Sequence, residues 1–169
     1  MELMIRLAEP EDSANLLALL RQLAQESDTF CITQDLDTVD AITEAQNITA
    51  IQQTTNNLML VVADEANHLY GIATATALLD DPKVAEVGVA VLKAYQGYGL
   101  AQGLVAELID WGVTYSTVNQ LGLVVQKRNA AAIHIYEKLG FSVAPNAQQD
   151  EQTTAWPIQT MQLDVTEGD

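Results

Sequence analysis

"VGVAVLKAYQGYGLAQGLV", Val87 to Val105, passes from an apolar run through a glycine-rich turn into a helix-forming stretch. The first part, with Ala85 and Glu86 before it, reads as a buried strand ending at Leu92. The last part opens a helix that continues to Tyr115: Leu100, Leu104, Leu108 and Trp111 fall on one apolar stripe with Val105 beside it. Between and within them stand Gly97, Gly99 and Gly103, more glycine than a plain turn requires. A strand feeding such a turn and then a helix leaves several backbone N–H groups pointing past the helix start. Glycine lets that backbone bend and a ligand approach, and the helix dipole adds partial positive charge. The arrangement suits a phosphate or pyrophosphate; it equally suits a turn whose glycines serve packing. Two familiar nucleotide motifs fail here. No Gly-Lys-Ser/Thr ends the loop, and Gly103 follows Gly99 by four residues where a dinucleotide fingerprint needs three.

Outward from this segment the chain alternates clearly. Upstream, "LMIRLA" reads as a strand and "EPEDSANLLALLRQLAQES" as a helix with Leu16, Leu17, Leu20 and Leu23 at helical spacing. "DTFCITQDLD" is a loop, and "TVDAITEAQNITAIQQTT" a second, polar-rich helix. "NLMLVVAD" and "YGIATATALL" are strands about the turn "EANH", an antiparallel hairpin. Downstream come the strand "QLGLVVQ", the helix "NAAAIHIYEKLG", the strand "FSVAP" and a final strand in "AWPIQTMQLDV". The order β-α-α-β-β-β-α-β-α-β-β predicts an α/β protein with one mixed sheet and helices on both faces; three consecutive middle strands argue against a doubly wound parallel fold. No repeat or linker divides the chain, so residues 1–169 read as a single domain.

Composition narrows the function classes. The net charge of −16 should repel nucleic acid and anionic membranes. No apolar stretch approaches the roughly 20 residues needed to span a bilayer, and the N-terminus lacks a signal-peptide pattern. Cys31 is the lone cysteine, which fits a reducing, cytoplasmic setting, and it reads as an ordinary cysteine rather than a nucleophile. With His68 and His134 far apart there is no zinc-type cluster, and no metal is expected. The charge is uneven: residues 83–138 hold five basic and four acidic residues, the remainder two and nineteen. The glycine cluster lies in that near-neutral window, the one place where an anionic ligand meets little repulsion.

At this point the sequence resembles the GNAT N-acetyltransferase superfamily. Its acetyl-coenzyme A signature, Gln/Arg-x-x-Gly-x-Gly/Ala, is filled by Gln96, Gly99 and Ala101, and a second signature by Asn129, Tyr136, Gly140 and Phe141. "IRLAEPEDSANLLAL" also resembles the family's first strand and helix. The resemblance implies a bent mixed sheet of the acyl-CoA N-acyltransferase fold, its central parallel strands splayed around the pantetheine arm of acetyl-CoA. It implies that the backbone of Val89, Ala90 and Val91 lines the pantetheine. Amides of Gln96, Gly97, Tyr98, Gly99, Leu100 and Ala101 would then cradle the pyrophosphate, and Asn129 and Tyr136 would also face the cofactor.

Direct acetyl transfer needs an unprotonated amine, a polarised thioester and a stabilised leaving thiolate. Tyr136 is the candidate acid at the sulfur, against a reading as a core aromatic; Asn129 is a cofactor contact, a helix N-cap, or both. Glu86, sharing a strand face with Gly88 and Ala90, is the candidate base, against a reading as a solvated strand-end acid or a role taken by water. His134 reads as structural. The stretch "QESDTFCITQDLDTVDAITE", Gln25 to Glu44, holds Glu26, Asp28, Asp35, Asp37, Asp40 and Glu44 and no basic residue. That charge favours a cationic acceptor, a small-molecule or peptide amine; a solvated helix face gives the same pattern. A non-catalytic acyl-CoA binding or sensing domain is the alternative of another class. The last strand leaves room for a homodimer through edge pairing.

Overall fold

The computed structural model describes residues 2–26, 39–144 and 157–166. Seven strands form one sheet: β1 (Met4–Leu7), β2 (Leu58–Ala63), β3 (Leu69–Ala77), β4 (Val84–Val91), β5 (Gln120–Gln126), β6 (Ser142–Val143) and β7 (Ile158–Asp164). Four helices accompany them: α1 (Ser13–Glu26), α2 (Ala41–Gln52), α3 (Leu100–Thr114) and α4 (Ala130–Lys138). The sheet order is β1-β2-β3-β4-β5-β7-β6, antiparallel throughout except between β4 and β5.

Each sheet face carries its own core. Leu16, Leu19 and Leu23 of α1 and Ile48 of α2 pack on Met59, Val61, Ala63 and Ile72. On the other face Leu104, Val105 and Leu108 of α3 and Tyr136 of α4 meet Leu60, Val62, Val87, Leu121 and Leu123. The alternation along β2 sorts these sets, even residues to α3 and odd to α1 and α2, and all six of its residues are buried. In α1 the stripe is Leu16, Leu19 and Leu23, whereas Leu20 lies at its margin. A side chain fully buried in this way contributes about 1.5–3 kcal/mol relative to exposure.

Three local readings are corrected by the backbone. β3 stops at Ala77, and Leu79 is fully exposed in the turn before β4, where Leu78 N–H donates to Val84 O. A short 3-10 turn, Lys93–Tyr95, separates β4 from the glycines. β7 is an inner strand, paired along its length with β5 and at Met161 and Gln162 with the two-residue β6, so it does not form the sheet edge. Among the described residues no helix is long and apolar enough to cross a membrane.

Candidate active site

The site begins where β4 and β5 part. Their parallel ladder has three pairs, Val84–Gln120, Ala85–Leu121 and Glu86–Gly122, although β4 continues to Val91 and β5 to Gln126. Beyond Glu86 each strand keeps only its outer partner: β3 beside β4, β7 beside β5. Leu92 N–H donates to Tyr70 O and Val84 O accepts from Leu78 N–H, so the even residues of β4 aim their backbone at β3. By alternation the odd residues aim at the split, which brings the backbone of Val89 and Val91 to its wall. The Ala90 backbone turns the other way, toward Ile72 of β3. The Val91 carbonyl is already used, accepting from Gln96 Nε2 at 2.9 Å.

The glycine turn sits at the open end of this split. Gly97 and Gly99 have φ of +89° and +81°, and a Cβ built on either meets nothing within 4 Å. Gly99 is the N-cap of α3 and offers no side-chain cap. The backbone N–H of Gln96 donates to Lys93 O at 3.3 Å, so that amide is spent within the 3-10 turn. From Gly97 to Ala101 no backbone N–H finds a protein acceptor among the described residues. Five successive amides at the positive end of a helix dipole, with open space before them, form a cradle for an anion, worth about 0.3–1 kcal/mol per charge from the dipole alone. Tyr98 is exposed over this turn.

An open groove of about 370 Å³ joins the two features, lined by Leu23, Glu26, Val91, Lys93, Gln96, Arg128 and Asn129. Asn129 Oδ1 accepts from Ala132 N–H and caps α4, the helix-cap role, while its Nδ2 has no partner among the described residues. Asn129 N–H donates to Gln126 O, which closes the end of β5 onto the helix.

Glu86 stands at the apex of the split, exposed, on the face shared with α1 and α2, and its carboxylate makes no ion pair or hydrogen bond among the described residues. Its neighbours across the strands are Thr76 and Gly122. Tyr136 lies on the opposite face, 8% exposed, edge-on to Phe141 with ring centroids 5.8 Å apart. Its hydroxyl has no hydrogen-bond partner among the described residues, and burial pushes its pKa up to about 12. The two candidate groups are thus brought to the two sides of the sheet, with the split between β4 and β5 beside them.

Three of the six acids grouped at the entrance lie among the described residues. Glu44 is buried at 2% exposure, Asp40 caps α2 by accepting from Thr43 N–H, and Glu26 accepts from Lys93 N–H at 2.8 Å. Asp28, Asp35, Asp37 and Cys31 lie outside the described residues. No local signal marks Glu26 as the residue that ties α1 to the exit of β4, since the two are 67 positions apart. Among the described residues no group of three or more His, Cys, Asp or Glu side chains is arranged to hold a metal ion.

A sequence model of the acetyltransferase (GNAT) family matches residues 18–141. The chain belongs to this family. Its seven-stranded mixed sheet with helices on both faces is the GNAT acyl-CoA N-acyltransferase fold. It is similar to the structure of a GNAT-family acetyltransferase from Streptococcus pneumoniae, with TM-score 0.82 and 26% identity over 96% of this chain and 99% of the other. A putative acetyltransferase from Salmonella typhimurium, solved with its cofactor acetyl-CoA, has TM-score 0.78 and 24% identity over 100% and 97% of the chains. Among curated proteins, spermidine N(1)-acetyltransferase of Escherichia coli (strain K12) is 46% identical over 59 residues, 35% of this chain and 32% of that one. The matched stretch spans from about a third to about half the length of the curated relatives.

Proposed function

We propose that the chain is a single-domain, cytoplasmic N-acetyltransferase that passes the acetyl group of acetyl-CoA directly to a primary amine in a ternary complex. The observation that carries this reading is the split between β4 and β5 opening beside five amides with no acceptor among the described residues. One site there offers strand-like hydrogen bonds to an extended amide-bearing arm and a cradle for its pyrophosphate. Val89 N–H and C=O and Val91 N–H would take the pantetheine amides as an absent strand would, and Gly97–Ala101 the pyrophosphate. Family membership and the Salmonella relative solved with acetyl-CoA support the same ligand.

In the transfer, Glu86 first takes a proton from the ammonium, directly or through water; the freed amine nitrogen then bonds to the thioester carbonyl carbon, the carbon–sulfur bond breaks, and the second nitrogen proton passes through water to the departing thiolate. Tyr136, with a pKa near 12, stays protonated at every working pH. Full proton transfer from it to a thiolate of pKa about 8.5 is uphill. Its role is therefore to donate a hydrogen bond to the sulfur as charge builds, rather than to act as a strong acid. For the acceptor we infer a cationic aliphatic amine of the polyamine class. The curated relatives are spermidine acetyltransferases, and Glu86 is a carboxylate exposed on the acceptor side of the split.

Calorimetric titration with acetyl-CoA, with NAD and ATP as controls, is the first test; binding of acetyl-CoA alone is the expected result. Turnover is then measured with spermidine against neutral and anionic amines. Tyr136→Phe should lower kcat about a hundredfold while Kd for acetyl-CoA stays near wild type. Cofactor binding without turnover on any amine, and no response to Tyr136→Phe, would place the chain among acyl-CoA sensors instead.

A further inference from the structure

We infer that Tyr70, held by Asp64, is a positioning residue for the donor-binding turn and acts on it through Tyr95. This inference rests on the acetyl-CoA reading of the site. Tyr70 is in β3, Tyr95 closes the 3-10 turn just before Gln96 and the glycines, and neither belongs to a family signature quoted above. Their rings meet with centroids 4.5 Å apart at 54°. The Tyr70 carbonyl also accepts from Leu92 N–H at 2.9 Å, so one residue of β3 grips the exit of β4 by backbone and by side chain.

The far end of Tyr70 is itself fixed. Its hydroxyl donates to Asp64 Oδ2 at 2.7 Å. Asp64 is held in turn by Ala66 N–H and His68 N–H at 2.9 and 3.0 Å, which close the β2–β3 turn around it. The hydrogen bond from Tyr70 keeps the Asp64 carboxyl well below its usual range, at about 2, and pushes the Tyr70 phenol up to about 12. The bond therefore persists across the physiological range. A hairpin turn, a carboxylate and two tilted rings in contact thus lead to Tyr95, two residues before the phosphate cradle. Without them the Lys93–Tyr95 turn would keep its anchors at Glu26 and Val91 but lose the wall against which Tyr95 rests. The amides from Gly97 onward would then sample more orientations, and the donor would have to order them on binding.

The test is a split of donor affinity from turnover. In Tyr95→Leu, which removes the ring pair, Kd and KM for acetyl-CoA should rise up to about tenfold, the upper worth of such a pair, with kcat changed less than twofold. Tyr95→Phe keeps the ring and should restore Kd to within about twofold of wild type. Tyr70→Phe, which loses only the tie to Asp64, should give a smaller rise in Kd. As a control for general destabilisation, Val118→Ala truncates a buried side chain at the opposite end of the sheet, before β5. It should lower the melting temperature without moving Kd. If wild type binds acetyl-CoA and Tyr95→Leu binds it equally well, or if Val118→Ala weakens binding as much, the positioning role is refuted. If wild type itself does not bind acetyl-CoA, it is the reading of the site that fails.

Discussion

Replacing Gly99 by Ala tests what the space in front of α3 is for. At φ +81° an L-residue costs about 1–2 kcal/mol, and no atom lies within 4 Å of the added methyl, so strain is the whole cost in the free protein. For a chain of this size each kcal/mol lowers Tm by about 2–4 °C, giving an expected drop of about 2–8 °C. The methyl enters open space; on the donor-site reading that space holds the pyrophosphate, which would have to move away from the amides. A tenfold weakening of acetyl-CoA, about 1.4 kcal/mol, is the least effect expected. Gly103→Ala, one helical turn on, is the matched comparison. There an added methyl approaches Ile5 Cδ1 to 3.0 Å, the flexible tip of a side chain. That contact opposes a gain of up to about 1 kcal/mol from helix propensity, so stability should change little and Kd not at all. Thermal melts give the first quantity and calorimetry with acetyl-CoA the second. A Gly99→Ala protein that melts lower yet binds acetyl-CoA as wild type does would show that the space belongs to no ligand.

Other outcomes follow from the packing and charges. Leu108→Ala empties a site of 0% exposure between α3 and the sheet and should cost about 2–5 kcal/mol, read by urea unfolding. Asn129→Ala removes the cap of α4 at a cost of about 1 kcal/mol, whereas Asn129→Asp keeps the capping oxygen and loses the free Nδ2 donor. The Asp variant should therefore be near wild type in stability and weaker only in acetyl-CoA binding. Arg6 donates to both oxygens of Asp12 at 2.7 and 2.8 Å, which lowers the Asp12 pKa below its unfolded value of about 3.9. The unfolded chain then binds the proton more readily, so this stability is complete above about pH 4 and is lost as pH falls through the folded pKa. Asp12→Asn should accordingly flatten the stability–pH curve on the acid side, followed by unfolding at a series of pH values.

Much of the fold was legible because the local signals agreed with one another. β5 is the quoted run Gln120–Gln126 without a residue's change, and the stripe from Leu100 to Trp111 is α3. What could not be read are features set by partners distant in the chain. The split depends on how far β4 and β5 stay parallel, which neither strand encodes alone. In the site, the turn glycines and the cap at Asn129 are local and were visible. The role of Glu26 was not, because a carboxylate looks the same whether it faces a cationic substrate or closes a turn 67 residues away. Charge counting failed at Glu44 for the same reason: composition cannot say which acid is buried. The Tyr70–Tyr95 pair carries no spacing that a helix or strand period would flag.

The three-rung ladder between β4 and β5 also bears on mechanics. Among the described residues it is the only strand pairing that ties the sheet half formed by β1 to β4 to the half formed by β5, β7 and β6. A donor lying in the split would hydrogen-bond where further rungs are missing and so act as a splint across the seam. Amide exchange at Val89 and Val91 should then slow on loading, and the two halves should resist pulling apart in step with donor occupancy. A reporter of seam stiffness would thus track how much acetyl donor is present.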